Sequence, residues 1–178
     1  PGLAEWARVR DYRMSQIDKM ENVEVHTGAE LSAQDVLDYG AEVVVLATGA
    51  TWRRDGVAYT NAHAIPGCDG KRVFTPDDIM NGRNLEGPVV VFDDDHYYIG
   101  GVIAEQLRAK GSEVTIVTPL MELSRWTEYT LEVVKIQGQI LSQGIELITD
   151  HNIVSIGDNN IEIANVYHDA IRENLSYQ

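Results

Sequence analysis

The order of apolar segments in the second half of the chain constrains the fold more than any other feature of this sequence. Short runs rich in valine and isoleucine predict strands, and longer segments with apolar residues at helical spacing lie between them. The predicted strands are residues 88–92, 113–117 and 145–148, and the predicted helices between them are residues 102–110 and 127–142. A β-α-β-α-β order predicts a parallel sheet with right-handed crossovers.

A hairpin is predicted directly after this pattern. Residues 153–156 and 161–166 alternate apolar and polar side chains on either side of Asp158-Asn159-Asn160, which is a turn sequence. Residues 171–178 follow as a tail that no pattern assigns to an element.

The first half of the chain predicts a second α/β unit. The predicted elements are a helix at residues 3–20 and strands at residues 23–26 and 42–49. The strand at residues 42–49 is apolar throughout its centre, which is typical of a strand buried on both faces of a parallel sheet. Ser32 and Thr75 are predicted N-caps of short helices, the second with proline at its first position.

The boundary between the two units is expected in the glycine- and proline-bounded segment 82–88. Residues 52–80 before it have mixed polarity and predict an irregular connection. The prediction is therefore a domain of residues 1–85, a domain of residues 86–170 and the unassigned tail.

The net charge of −14 comes from 14 basic and 28 acidic residues. Such a surface repels nucleic acid and anionic lipid, so neither is an expected partner. Two interpretations of the charge stay open. It keeps the protein in solution, or it forms a docking face for a basic partner protein.

A single cysteine, Cys68, limits the chemistry of the chain. It excludes an internal disulfide, and this segment alone cannot supply an iron–sulfur cluster. A reducing cytoplasm fits this cysteine usage and is the expected location.

No apolar run reaches the ~20 residues needed to cross a bilayer. Because Pro1 is not an initiator methionine, we expect a piece of a longer protein.

The turn after residue 92 is acidic where a dinucleotide-binding fold is rich in glycine. In such folds, glycines let backbone N–H groups approach a pyrophosphate at a helix N-terminus. Here residues 93–95 are aspartates, residues 97 and 98 are tyrosines, and only Gly100 and Gly101 remain. These late glycines are expected to permit close packing of the helix on the strand.

Charge repulsion decides what this turn can bind. Two like charges 4 Å apart repel by about 1 kcal/mol in water and about 4 kcal/mol at an effective dielectric of 20. Three aspartates facing a pyrophosphate would therefore disfavour its binding by several kcal/mol. Thr118 and Pro119, after the next strand, offer neither an acid for a ribose hydroxyl nor an arginine for a 2′-phosphate. The sequence predicts a Rossmann-like shape without a nicotinamide dinucleotide.

Two other interpretations of the acidic turn are open. The aspartates and His96 could bind Mg²⁺ or Ca²⁺, although adjacent residues point in different directions and rarely chelate one ion. The favoured alternative is that the aspartates cap the next helix and face water, so no metal site is predicted.

The second informative turn consists of Ala47, Thr48 and Gly49 after the buried apolar strand, and these three residues are candidates for cofactor binding. Arg13 and Trp52 are further candidates. Arg13 either reaches the surface or pairs with an acid, or it contacts a cofactor or a domain interface. Trp52 is either a cofactor contact or an ordinary core or interface aromatic residue.

A family resemblance rests on these segments. Residues 40–49, GAEVVVLATG, resemble the second flavin-domain motif of flavoproteins with two dinucleotide-binding domains. Further stretches narrow the match to trimethylamine dehydrogenase and its dimethylamine and histamine dehydrogenase relatives. These stretches are PGLAEW at residues 1–6, RDYR at 10–13, ATGATW at 47–52, DG at 55–56 and IPG at 65–67. The acidic turn and residues 113–117 also resemble this family. The resemblance extends to about residue 168 and identifies a C-terminal FAD/NAD(P)-binding-like region.

The resemblance implies an α/β fold of two Rossmann-like units of the glutathione-reductase type. Their sheets would be parallel, with an added β-hairpin, and both units would be truncated in this chain. The first unit would hold ADP, or FAD, with Ala47, Thr48 and Gly49 lining the site. The second would be a degenerate NAD(P)-binding unit, so that NAD(P) is not an expected cofactor.

The resemblance also implies the chemistry of the parent protein. An N-terminal barrel would hold FMN and a 4Fe-4S cluster, and a small amine would be oxidised by demethylation or deamination. Electrons would pass to an electron-transfer flavoprotein, and a homo-oligomer is expected. The present segment alone would not be catalytic. Two alternatives stay open: an NAD(P)H-dependent flavin reductase of the enoate or dienoyl-CoA reductase type, and a non-catalytic docking module.

Overall fold

The computed structural model describes residues 2–177, which form two compact units that divide between Ala50 and Thr51. The predicted boundary at residues 82–88 lies inside the second of these units. A division into domains of residues 1–85 and 86–170 stays a prediction. No helix in the described part of the chain is both long and apolar enough to cross a bilayer.

The first unit consists of short helices. A 3₁₀ helix, Gly2–Trp6, leads into α1, Ala7–Ile17, and α2 is Ala33–Tyr39. The predicted N-cap is confirmed, because Ser32 Oγ accepts a hydrogen bond from the Asp35 N–H at 3.2 Å and the Ser32 N–H donates to Asp35 Oδ2 at 2.8 Å. Gly40 ends α2 in the left-handed conformation, with φ of 73°.

The two strands predicted for the first unit do not form, and both predictions were wrong for the described structure. Neither residues 23–26 nor residues 42–49 are extended strands, and Val43 and Val45 are 79% and 82% exposed. A strand is stabilised by the hydrogen bonds it exchanges with neighbouring strands, and residues 2–50 contain no strand to serve as a neighbour. The apolar run is therefore left without the sheet that its sequence requires.

The second unit contains the predicted parallel sheet. Its strands are β1, Val89–Phe92, β2, Val114–Val117, and β3, Glu146–Ile148, paired in the order β1-β2-β3. Two helices connect them, α4, Ile99–Ala109, and α5, Val133–Ser142. A short helix, α3, Pro76–Met80, precedes β1 and begins at the predicted cap, where the Thr75 N–H donates to Asp78 Oδ2 at 2.8 Å.

An antiparallel sheet follows the parallel one. It is formed by β4, His151–Ile156, β5, Asn160–Asn165, and β6, His168–Ser176, in that order. The predicted hairpin is confirmed, since the Gly157 N–H donates to the Asn160 carbonyl at 2.8 Å to close the turn between β4 and β5. Most of the tail that the sequence left unassigned lies in β6. The chain is thus a mixed α/β structure with one parallel and one antiparallel three-stranded sheet.

One predicted helix is divided in the structure. Residues 127–142 were expected to form a single helix, but a 3₁₀ helix, Arg125–Thr130, ends at Leu131 and α5 begins only at Val133. Leu131 has φ of 61°, in the left-handed region, which interrupts the helical hydrogen bonds. Side-chain bonds to the backbone, such as Thr127 Oγ1 to the Ser124 carbonyl at 2.7 Å, favour the tight turn.

The core of the second unit has two clusters of buried apolar side chains. Successive residues of β2 point to opposite sides of the sheet, so Ile116 belongs to one cluster and Val117 to the other. The first cluster contains Leu107, Leu123 and Ile140, and the second contains Ile65, Ile153 and Ile163. This packing fixes the end of β1, where the polar side chains of the next section lie.

Candidate functional site

The candidate site begins at the carboxyl end of β1, where parallel sheets commonly bind ligands. The Asp93 N–H donates to the Val117 carbonyl at 2.9 Å and extends the pairing of β1 with β2 by one residue. The Asp93 side chain then points inward and is only 1% exposed. It lies below the start of α4, where a glycine-rich turn would approach a phosphate in a dinucleotide-binding fold.

Burial dominates the chemistry of Asp93. Loss of hydration raises the pKa of this carboxyl to about 6, although the nearby charge of His96 and the backbone N–H of Ser124 act in the opposite direction. The Ser124 N–H lies 3.5 Å from Asp93 Oδ2, and Asp93 Oδ1 has no hydrogen-bond partner within the described residues. The carboxyl is therefore held in an environment that favours its neutral form.

Asp94 is also buried, but it is surrounded by donors. Its carboxylate accepts from the Thr60 N–H at 2.9 Å and from Thr60 Oγ1 at 2.7 Å. His96 Nε2 lies 3.0 Å from Asp94 Oδ1, close enough for an ion pair although the alignment is poor for a hydrogen bond. Burial raises the pKa of Asp94, but the contacts with His96 and Thr60 outweigh it and leave the pKa below its ordinary value.

The expectation that residues 93–95 face water was therefore wrong for two of the three aspartates. Asp93 and Asp94 are 1% and 5% exposed, and only Asp95 is partly exposed. The sequence could not show that Thr60, from the irregular segment before β1, supplies two donors to Asp94. The negative charge of Asp94 is thus stabilised by contacts with Thr60 and His96 rather than by water.

The late glycines of the turn have the predicted packing role. Gly100 and Gly101 are buried in the first turn of α4. A Cβ atom on Gly100 would lie 2.5 Å from Asp93 Oδ1, so only glycine lets α4 approach this carboxyl.

Three rings from three different segments form an aromatic cluster above the turn. The ring centroids of Tyr59, His96 and Trp126 are 5.2–5.6 Å apart and the rings meet edge to face. His96 is fully buried and has φ of 60°, and its carbonyl accepts from the Trp126 N–H at 3.0 Å. Sequence reasoning missed Tyr59 and Trp126, because no spacing along the chain relates them to His96.

An open cleft of about 540 Å³ lies next to this cluster. Asp95, Tyr97, Trp126 and Tyr129 line it, so it combines one carboxylate with three aromatic rings. The carboxylate and the faces of the rings attract positive charge.

The predicted cofactor residues are divided between the two units. Arg13 is exposed on α1, and Ala47, Thr48 and Gly49 are exposed in the segment that lacks strand partners. Gly49 has φ of 75°, in the left-handed region that favours glycine. Trp52 belongs to the second unit, and its backbone N–H donates to Asp77 Oδ2 at 2.8 Å. The assignment of these five residues to a cofactor stays a prediction.

The donor atoms of this chain do not fit an iron–sulfur cluster. Cys68 is the one cysteine, and its Sγ–H donates to the Asp55 carbonyl at 3.2 Å. In the part of the chain that the structure describes, no three or more His, Cys, Asp or Glu side chains are grouped to hold a metal ion. A pyrophosphate is likewise unsuited to the turn after β1, because Asp93 fills the space beneath α4.

A comparison with protein families decides the relationship of the chain. Residues 74–177, more than half of the sequence, match the OYE-like second alpha/beta domain. The chain belongs to the OYE-like second α/β domain family. The matched residues contain both sheets of the second unit and the acidic turn.

Relatives of this OYE-like chain include enzymes that act on amines. Dimethylamine dehydrogenase of Hyphomicrobium sp. (strain x) is 34% identical over 175 residues, which are 94% of this chain and 24% of that protein. The multifunctional alkene reductase/demethylase OYE of Caballeronia cordobensis is 33% identical over 108 residues, or 60% of this chain and 14% of that protein.

Solved structures agree with this relationship. The histamine dehydrogenase from Rhizobium sp. 4-9 superposes with a TM-score of 0.92 at 39% identity, covering 99% of this chain and 28% of that one. The 6-hydroxypseudooxynicotine amine oxidase from Pseudomonas geniculata N1 gives a TM-score of 0.93 at 38% identity, covering 99% of this chain and 26% of that one. The OYE-like chain thus spans about a quarter of the length of these relatives. The resemblance to dimethylamine and histamine dehydrogenases is confirmed.

Proposed function

We propose that this chain is a structural, nucleotide-binding part of a flavin-dependent amine dehydrogenase that uses FMN and a 4Fe-4S cluster. The observation that carries the proposal is the 34% identity with dimethylamine dehydrogenase along 94% of the chain. In the whole protein, bound FMN would accept electrons from a small amine and the cluster would pass them on. We predict no catalytic residue in this segment and propose that the reaction takes place in the rest of the protein.

The first unit is proposed to hold the adenosine diphosphate portion of a nucleotide, either ADP or FAD. Ala47, Thr48 and Gly49 are its proposed contacts, with Arg13 and Trp52 as further candidates. The exposed apolar residues 43–46 support this assignment indirectly, because such a run is typical of a strand inside a parallel sheet. We propose that segments outside this sequence complete that sheet in the whole protein.

The second unit is proposed to bind no NAD(P)H. Asp93 lies under the first turn of α4 and Asp94 is held by Thr60, so neither can move aside for a phosphate without losing buried contacts. Its role is then to support neighbouring parts of the protein. An electron-transfer flavoprotein as acceptor and a homo-oligomer are proposed from the family resemblance, and the net charge of −14 fits a partner with a basic surface.

The test of this function uses the full-length protein. Purified protein should show flavin and iron–sulfur absorbance, and dimethylamine or another small amine should bleach the flavin band under anaerobic conditions. NADH added instead of the amine should leave the band unchanged. A colourless full-length protein, or a flavin that amines never reduce, would contradict the proposal.

A second function has support from one relative. The alkene reductase/demethylase of Caballeronia cordobensis matches 60% of this chain, so an NAD(P)H-dependent flavin reductase is the alternative. Under this alternative, NADPH would bleach the flavin and calorimetry would show tight NADPH binding.

A third possibility, a docking module without nucleotide, predicts association with a basic partner that weakens steeply as salt increases.

A further inference from the structure

The cleft beside the aromatic cluster is wide open to solvent and lies near the end of the parallel sheet. Its volume of about 540 Å³ lies within the range of roughly 300–1,000 Å³ that small-molecule sites occupy. Asp95 follows β1 by three residues, so the cleft opens near the carboxyl end of the parallel sheet. Ligands of α/β folds bind at this end of the strands.

The carboxylate of Asp95 is available to a ligand. In residues 2–177 no lysine, arginine or histidine forms a salt bridge with it. Arg125, the basic residue beside Trp126 in the sequence, is instead paired with Glu122 and with Glu128, whose Oε2 lies 2.7 Å from Arg125 Nη2. Among the described residues, the negative charge on the cleft wall therefore has no basic partner.

Three of the four side chains that line the cleft are aromatic. Aromatic ring faces carry negative potential, and cages of such rings are a known means of binding quaternary ammonium groups. The Trp126 ring makes edge-to-face contacts with Tyr59 and His96, and the backbone N–H of the same residue donates to the His96 carbonyl. The ring is thus pre-organised, which lowers the entropy lost on binding.

The same composition argues against other ligands. A metal ion such as Ca²⁺ or Mg²⁺ needs six or more oxygen ligands, and this wall presents one carboxylate and two phenols. A phosphate or carboxylate ligand would meet the charge of Asp95 and the negative faces of the rings.

We propose that this cleft binds an organic cation, with the ammonium group near Asp95 and its apolar substituents against Tyr97, Trp126 and Tyr129. This site belongs to the second unit and does not depend on the amine oxidation proposed for the rest of the protein.

The test measures the binding of benzyltrimethylammonium to the full-length protein by isothermal titration calorimetry. A quaternary nitrogen has no lone pair, so amine oxidation does not consume this probe. Benzyl alcohol is the neutral control for the apolar part of the probe. We expect saturable binding of the cation that weakens with increasing salt, and at least fivefold weaker binding of the alcohol, since a cation–π contact at an exposed site changes affinity by about two- to fivefold and the carboxylate adds to it.

Variants locate the binding in this cleft. Asp95→Asn removes the charge and keeps the shape, and Tyr129→Leu keeps apolar surface and removes the ring. Each should weaken binding of the cation by about two- to fivefold, whereas Tyr129→Phe should bind as the wild type does. Because Tyr129 is 82% exposed, its two substitutions should leave the melting temperature unaltered. Tyr167→Leu, at another exposed tyrosine in the turn between β5 and β6, is the matched control and should have no effect.

Three results would overturn the proposal. The first is the absence of saturable binding by the quaternary cation. The second is wild-type affinity in both Asp95→Asn and Tyr129→Leu, which would place the binding elsewhere in the protein. The third is equal affinity for benzyltrimethylammonium and benzyl alcohol, which would show that the cleft does not recognise positive charge.

Discussion

Gly100 and Asp93 are packed so closely that a Cβ atom on the glycine would lie 2.5 Å from Oδ1 of the aspartate. The first turn of α4 and the end of β1 meet at this point. The contact explains how the fold keeps the glycine of a dinucleotide-binding turn while a carboxyl fills the space beneath it. Several expected effects of mutation arise from this and from similarly close contacts.

Gly100→Ala should destabilise the full-length protein by about 2 kcal/mol, because the new methyl group forces Asp93 or α4 to move. The measurement is the shift of the denaturation midpoint relative to wild type. Gly138→Ala in α5 is the matched control, since nothing lies within 4 Å of its added Cβ and alanine favours a helix by about 1 kcal/mol. Equal effects of the two substitutions would contradict the packing argument.

Asp93 should make the protein less stable as pH rises. Its folded-state pKa of about 6 exceeds the ordinary value of 3.8, so the folded state binds more protons than the unfolded state between these values. The stability contribution is fully present below pH 4 and is lost as pH rises through about 6. At roughly 1.4 kcal/mol per pKa unit, the loss approaches about 3 kcal/mol.

Asp93→Asn should remove this pH dependence. The expected result is a variant whose denaturation midpoint changes less than that of wild type between pH 4 and pH 8. Asp158→Asn, in the turn between β4 and β5, is the control and should follow the wild-type profile. A wild-type profile for Asp93→Asn would show that the carboxyl is already ionised without cost in the folded state.

Gly67→Ala should destabilise the protein more than alanine at a glycine whose added Cβ would meet no neighbouring atom. Gly67 has φ of 85°, and an added Cβ would overlap the carbonyl oxygen of Ile156 in β4. The Ile156 N–H donates to the Pro66 carbonyl at 2.8 Å, so the loop cannot move away without losing this bond. We expect a loss of about 3 kcal/mol or more, measured by denaturation.

Gly82→Ala separates backbone strain from steric overlap. Gly82 has φ of 93°, but nothing lies within 4 Å of its added Cβ. This substitution should cost only about 1–2 kcal/mol, the price of a left-handed conformation for alanine. If Gly67→Ala proved as mild as Gly82→Ala, the close approach of the loop to β4 would be wrong.

Tyr98 and Glu132 connect the start of α4 with the start of α5. The hydrogen bond from the Tyr98 hydroxyl to the Glu132 carboxylate raises the pKa of Tyr98 to about 12 and lowers that of Glu132. In protein labelled with ¹³C at the tyrosine ring, one resonance, absent in Tyr98→Phe, should titrate near pH 12. The Glu132→Gln variant should bring that titration down to a lower pH. Titration of this resonance near pH 10 in wild type would disprove the bond.

Val45→Lys tests whether the exposed apolar run is buried in the whole protein. In this chain Val45 is 82% exposed, and a lysine there would meet only solvent. If the run forms an inner strand of a completed sheet, the substitution should destabilise the full-length protein by roughly 3 kcal/mol, because it buries an unpaired charge. Leu131→Lys is the control with little expected effect, because Leu131 is 91% exposed in the second unit, where the strands already have their partners.

The sequence by itself determined the elements whose stabilising contacts are local or repeat along the chain. The caps at Ser32 and Thr75 depend on residues three positions away, and both formed as predicted. The β-α-β-α-β order and the hairpin at residues 157–160 could also be predicted from the sequence, because periodicity and turn residues specify them. The family relationship could be identified because its motifs are contiguous.

Tertiary structure alone decided the features that depend on distant neighbours. Residues 42–49 have the sequence of a buried strand, but a strand requires partners that residues 2–50 do not provide. Asp94 is buried rather than exposed because Thr60 meets it across 34 positions of the chain. Tyr59, His96 and Trp126 likewise converge only through packing, since no periodic pattern relates residues on three separate segments.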